Sequence, residues 1–149
     1  MKLEDELKQQ FTDNFQRVYL NVIFTANWME TNIQQELKEF NLTAPQFNVL
    51  RILRGQKGKP MPAYAIQERM IHRTSNVTRI LEKLAEKKLV TRENNAKNRR
   101  MIDVRLTEEG LALINSTDNI AKSAYKNLSS IFTEDEAGRM ADLLDSIRG

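Results

Sequence analysis

The stretch "HRTSNVTRILEKLAEKKLV", His72 to Val90, sets Arg73, Thr74, Ser75, Asn76, Thr78 and Arg79 almost side by side, with no acid before Glu82. These side chains suit the reading of nucleic-acid bases. Asn can bond bidentately to adenine and Arg to guanine, while Ser and Thr bond to several base edges and to phosphates. Read as a helix from Ser75 at about 100° per residue, the run puts Val77, Ile80, Leu81 and Leu84 on one face. Ser75, Asn76, Thr78, Arg79 and Lys83 lie on the other. A helix N-terminus favours negative charge, and this one supplies none from its own first turn. An anionic partner outside the chain would fill that role. Ser, Thr and Asn also cap helices, and Thr74 is the expected cap. Capping accounts for one such residue, leaving readout and a plainly solvated helix start as the two explanations of the rest.

A second basic cluster follows in "NNAKNRR", where Lys97, Asn98, Arg99 and Arg100 sit between two strand-like runs. Such a tip can enter a minor groove, whose narrowness strengthens the negative potential. A charged hairpin that merely discourages edge pairing has the same composition. Its position directly after the first cluster favours the groove-binding use.

Catalytic chemistry has little to stand on. His72 is the sole histidine and there is no cysteine, so thiolate metal sites, disulfides and a cysteine redox switch are excluded. The chain has no Gly-rich phosphate loop and no nucleophile-elbow motif. Glu108 and Glu109 open a helix, where acids are expected anyway. No enzyme activity and no cofactor or metal are expected. Tyr19, Trp28, Phe47, Tyr64 and Met70 are candidates for a small-molecule pocket, although aromatic and Met residues at helical spacing also build cores.

The elements that must carry these clusters are legible from periodicity. Leu7, Phe11, Phe15, Val18, Val22, Ala26, Met29, Ile33, Leu37 and Phe40 recur at steps of 3 and 4, predicting one long helix. A helix so long and so apolar is expected to bury its surface on a second chain. "NLTAPQFNVLRIL" restarts a helix, with Thr43 and Gln46 spaced as a capping box and Pro45 tolerated in the first turn. "RGQKGKPMP" interrupts it with two glycines and two prolines. A short helix in "AYAIQERMI" and the His72–Val90 stretch come next. Ile102, Val104 and Leu106 alternate with Met101, Asp103 and Arg105, predicting a half-buried strand whose hairpin partner is Leu89 to Glu93. Thr107 then caps a helix running through Leu111, Ile114, Ile120, Ala124 and Leu128. Thr133 and Glu136 form a second capping box for a last helix through Met140, Leu143, Leu144 and Ile147. A helix pair followed by a basic hairpin is a winged helix-turn-helix. The expected fold is mainly α with a small β-hairpin wing. Residues 41–110 are the winged lobe, and residues 1–40 with 111–149 a helical dimerisation layer.

At 149 residues, with 40% hydrophobic and 29% charged positions, the composition is that of a globular protein. No run approaches the roughly 18 apolar residues of a membrane span, and "MKLEDELKQQF" is unlike a secretory signal, so a cytoplasmic location is expected. The net charge is only +3, but residues 1–40 hold 4 basic and 7 acidic residues, whereas 41–60 hold 4 and none, and 61–110 hold 11 and 7. Acidic ends around a basic middle fit a nucleic-acid surface. From charge alone, chance imbalance explains it as well.

"LTAPQFNVLRIL", "SNVTRILEKLAEKKLVTR" and "NRRMIDVRLTEEG", in this order and spacing, resemble the MarR family of bacterial transcription regulators. The likeness runs from about residue 10 to the C-terminus. It implies an obligate homodimer with intertwined first and last helices, whose two lobes bind a pseudo-palindrome in double-stranded DNA. It also implies repression, frequently relieved by small aromatic or phenolic ligands held between the dimerisation helices and the lobe. Ser75, Asn76, Thr78 and Arg79 match the recognition-helix contacts, and Arg99 and Arg100 the wing arginines. Two departures stand out. Asn98 replaces the usual aspartate that braces the wing arginine, which implies a looser wing. Ile71 and Arg73 replace a turn glycine and a serine cap, which implies a recognition helix starting one residue later. The alternative function is a winged helix used for protein binding, with only non-specific DNA affinity.

Overall fold

In the computed structural model, which describes residues 2–98 and 100–149, the first 40 residues do not form the single helix that their apolar stripe predicts. A short α1 (Leu3–Leu7) ends at Lys8, whose φ of 50° is left-handed. Asp13 then caps α2 (Asn14–Leu37), accepting from the backbone N–H groups of Phe15 and Gln16 at 2.7 and 2.9 Å. Periodicity reports which face is apolar, whereas a good cap decides where the chain enters a helix. After a 3₁₀ turn at Lys38–Phe40, Thr43 and Gln46 make both halves of the expected capping box and open α3 (Ala44–Gly55).

Beyond α3 lie β1 (Met61–Pro62), α4 (Ala63–Arg69), α5 (Val77–Glu86), β2 (Val90–Asn94) and β3 (Ile102–Leu106). The hairpin pairs antiparallel from Val90 opposite Leu106 to Asn94 opposite Ile102. The strand β1 has no counterpart in the sequence reading. It pairs Met61 with Val104, giving a sheet of order β1-β3-β2. A strand of two residues carries no alternation to detect, and Pro62 is tolerated there because β1 is an edge.

The helix expected through Leu111 and Leu128 is two: α6 (Glu108–Ser116) and α7 (Asp118–Ser129). Thr117 separates them. It is 1% exposed, and its hydroxyl donates to the Ile114 carbonyl at 2.6 Å. A hydroxyl that bonds back onto the preceding turn competes with the helical ladder and bends it. The final helix α8 (Glu134–Arg148) opens with the expected Thr133–Glu136 box.

The core gathers Leu37, Leu50, Leu53, Ile66, Leu81, Leu84, Val104 and Ile114 from α2, α3, α4, α5, β3 and α6. Phe47 and Met70, candidates for a ligand pocket, are buried within it. Gly110 is the tight point: a Cβ there would overlap the Leu89 carbonyl oxygen and come within 2.9 Å of Leu106 Cδ1. Only glycine lets α6 lie this close to the base of the hairpin. The outer faces of α2 and α8 are of another kind. Phe15, Tyr19 and Trp28, with Met140, Leu143 and Ile147, are exposed, and a groove of about 800 Å³ runs between the two helices.

Candidate nucleic-acid interface

The loop between α4 and α5 is pinned before it reaches the helix. The Ile71 backbone N–H donates to Asn48 Oδ1 at 2.9 Å, and Gln67 donates to the Arg73 carbonyl at 3.3 Å. His72 Nε2 stands 3.0 Å from Glu30 Oε1 of α2. These contacts tie the turn to α2, α3 and α4 and leave the next residues facing outward.

The helix α5 starts at Val77, two residues after the expected start at Ser75, and its cap is Asn76, not Thr74. Asn76 Oδ1 accepts from the Arg79 backbone N–H at 3.1 Å. The amide therefore holds the helix start, leaving its NH₂ as the group free to face outward. Val77, Leu81 and Leu84 are buried as the amphipathic reading requires, while Arg73, Thr74, Asn76, Thr78, Arg79 and Lys83 are exposed and Ser75 is half-buried. No acid lies in the first turn of α5. Among the described residues Arg73 and Arg79 form no ion pair, whereas Lys83 is engaged with Glu86 at 2.8 Å. The first turn is thus the cationic part of the helix, and Lys83 is partly neutralised.

The hairpin tip carries Lys97, Asn98 and Arg100 on an exposed loop, and Arg99 lies outside the described residues. The tip is not left unbraced by the missing aspartate. Asn95 Oδ1 accepts from the backbone N–H groups of Lys97 and Asn98, each at 2.9 Å, while its amide donates to Asp103 at 2.8 Å. Asn98 Oδ1 in turn accepts from the Arg100 backbone N–H at 3.1 Å. Amide-to-backbone bonds do the bracing, and among the described residues no carboxylate pairs with the Arg100 guanidinium. Asn95, two residues before Lys97, has the spacing of an Asx turn and joins the site as a brace beyond the expected residues. Lys87 joins it too: its ammonium donates to the Asn41 carbonyl and to Gln46, clamping the far end of α5 onto the α3 capping box.

The fold matches the site. Residues 42–102 of the chain match the MarR family. Over these residues the chain is similar to that family. The chain is 27% identical over 136 residues to the HTH-type transcriptional repressor MdtR of Bacillus subtilis, covering 91% of this chain and 82% of that one. The S. aureus MepR–DNA complex superposes with a TM-score of 0.77 at 26% identity, over 93% of this chain and 97% of that one. A structure of Bordetella bronchiseptica BpsR, concerned with regulation of its DNA binding by 6-hydroxynicotinic acid, shares the fold with a TM-score of 0.74 at 23% identity, over 89% and 98%.

The five candidate pocket residues do not come together around the winged lobe. Trp28 borders a cavity with Leu3, Phe24 and Thr25. Phe47 borders a different one, of about 180 Å³, with Arg51, Arg54, Asp118, Lys122 and Tyr125. Tyr19 and Tyr64 are more than half exposed, while Met70 is core. In the second cavity Arg51 stacks over the Phe47 ring at 5.7 Å. The Asp118 carboxyl there is held below the usual carboxylate range, chiefly by its hydrogen bond from Arg54. Among the described residues no cluster of His, Cys, Asp or Glu could hold a metal ion, and no helix is long and apolar enough to cross a membrane.

Proposed function

We propose that this chain is a sequence-specific, double-stranded DNA-binding transcription regulator, a repressor working as a homodimer on a two-fold operator in the cytoplasm, with no catalytic role. One observation carries the reading: Arg73, Thr78 and Arg79 stand exposed around an acid-free helix start, on a helix backed by the core and flanked by a basic wing. The first turn of such a helix meets base edges. Thr78 and Arg79 are the base readers, Arg73 and the wing residues Lys97 and Arg100 hold phosphate, and Asn76 positions the helix with its amide. Apolar side chains stand exposed along α2 and α8, a feature that marks interaction surfaces, and a second copy covers them. Residues 1–40 and 111–149 then form the dimerisation layer and 41–110 the DNA-binding lobe. The repressor MdtR and the DNA-bound MepR structure support this assignment.

A small aromatic effector fits the same scheme. The cavity beside Phe47 offers two aromatic rings and, beyond the Arg54–Asp118 ion pair, the cationic side chains of Arg51 and Lys122 at the junction of α3 and α7, which suits a ring bearing an acidic group. The BpsR structure supports this class of ligand. The test is selection from a random duplex pool at two salt concentrations, on protein whose dimeric mass has been checked. Enrichment of a two-fold sequence that survives moderate salt is expected. Binding without enrichment, erased by salt, would leave the winged helix as a protein-binding module with only charge attraction to DNA.

A further inference from the structure

The break between α6 and α7 is where the direction of the α7–α8 arm is decided. At Thr117 the backbone leaves helical geometry, with φ −88° and ψ 2°, and the residue's own hydroxyl occupies the Ile114 carbonyl. Hydrogen-bond ladders interrupted in this way are where helices bend. Past the break, α7 packs chiefly on α2 and α6.

Arg54 reaches this junction from α3. Its Nη1 lies 2.6 Å from Asp118 Oδ1, 3.3 Å from Asn115 Oδ1 and 3.4 Å from the Ile114 carbonyl oxygen. One guanidinium nitrogen therefore holds the last turn of α6 and the first residue of α7 at once. Its own helix is rooted in the core through Leu50 and Leu53, both no more than 2% exposed. The Arg54 side chain is 28% exposed, so it works partly out of water. Arg51 and Lys122 add to the positive field on Asp118, which keeps its carboxylate charged and available to Arg54.

The geometry points to Arg54 as a positioning residue for DNA binding. By bonding to both sides of the α6–α7 break, it sets the angle at which the arm leaves the lobe, and hence the separation of the two recognition helices. The inference rests on the dimeric DNA-binding reading above. Recognition helices of a dimer must reach half-sites about one helical turn apart, so a wandering arm lowers the fraction of dimers in register. Affinity for the preferred spacing falls by that fraction, while affinity for neighbouring spacings rises relative to it.

The experiment uses the full-length chain and a set of duplexes in which the selected half-sites are moved apart or together in single base-pair steps. Wild-type protein is expected to lose about tenfold or more in affinity when the spacing changes by two base pairs, and the variants R54M and D118N less than about threefold. Preference for the half-site sequence should be unchanged in both. Variants as spacing-selective as the wild type would overturn the inference while leaving the regulator reading intact. So would an equal loss on every duplex accompanied by a lower unfolding temperature, since that marks Arg54 as a stabilising residue only. A wild-type protein that prefers no two-fold sequence would sink the regulator reading itself, and the inference with it.

Discussion

Asn76 can be divided into two jobs by two substitutions. In the structure its Oδ1 accepts the Arg79 backbone N–H at 3.1 Å and starts α5. Replacing a capping Asn with Ala typically costs about 1 kcal/mol, which for a chain of this size lowers the unfolding midpoint by about 2–4 °C. Asn76→Asp keeps the oxygen and adds a charge that the helix N-terminus favours by about 0.3–1 kcal/mol, so the midpoint should hold or rise. DNA binding should move the other way. A unit charge about 4 Å from a phosphate is worth about 1 kcal/mol of repulsion in a water-like dielectric. Two half-sites double it, for a loss near 30-fold at low salt. Thermal unfolding and titration of the selected operator, run on both variants, give the readout. If Asn76→Asp bound DNA as tightly as the wild type, the start of α5 would not face the phosphates. If Asn76→Ala left the midpoint unmoved, Asn76 would not be the working cap.

Four further expectations concern separate parts of the molecule. Arg79→Ala should relax sequence preference and cost about 1–3 kcal/mol per half-site; an equal loss on operator and random duplex would count against base contact. Arg100→Ala should weaken binding on all sequences and flatten the dependence of log K on log salt; an unchanged slope would take the wing off the contact surface. Gly110→Ala drives a Cβ into the Leu89 carbonyl and should destabilise the fold by about 1–3 kcal/mol, visible in denaturant titration; a neutral result would mean that α6 can slide away from the hairpin. The Glu136 carboxyl is held below the usual range by the Thr133 backbone N–H and then by its hydroxyl. Its contribution is therefore full above the unfolded glutamate pKa and lost as pH falls through the lower folded value. Thermal scans of Glu136→Gln should differ from the wild type near neutrality and converge with it in acid.

Much of this arrangement is legible in the residues, and the failures have physical causes. The capping boxes at Thr43 and Thr133 and the cap at Thr107 form as their spacing implies, because each depends on a few consecutive residues. The buried face of α5 and the pairing of β2 with β3 follow from periods of 3.6 and 2. Asp13 and Thr117 escaped notice because an apolar stripe continues across a helix break when the two pieces share a buried side. The cap of α5 fell on Asn76 and not Thr74 because several neighbouring residues can cap, and loop anchors such as Asn48 and Gln67 select among them. Those anchors come from other elements, so no local pattern contains them. The braces Lys87 and Arg54 share that property, each pairing with a group far along the chain, whereas the Asn95 turn is local and its spacing is visible in the sequence. Pocket candidates picked by residue type scattered, since aromatic side chains serve core, cavity and exposed surface alike.

The wing tip separates shape from charge. Its turn is closed by Asn95 and Asn98 bonding to backbone, and dissolved ions do not screen bonds of that kind as they screen ion pairs. Raising the ionic strength should then strip Lys97 and Arg100 from phosphate without altering the loop that carries them. A plot of log affinity against log salt should stay straight across the whole range, and its slope would read as a plain tally of the phosphates engaged.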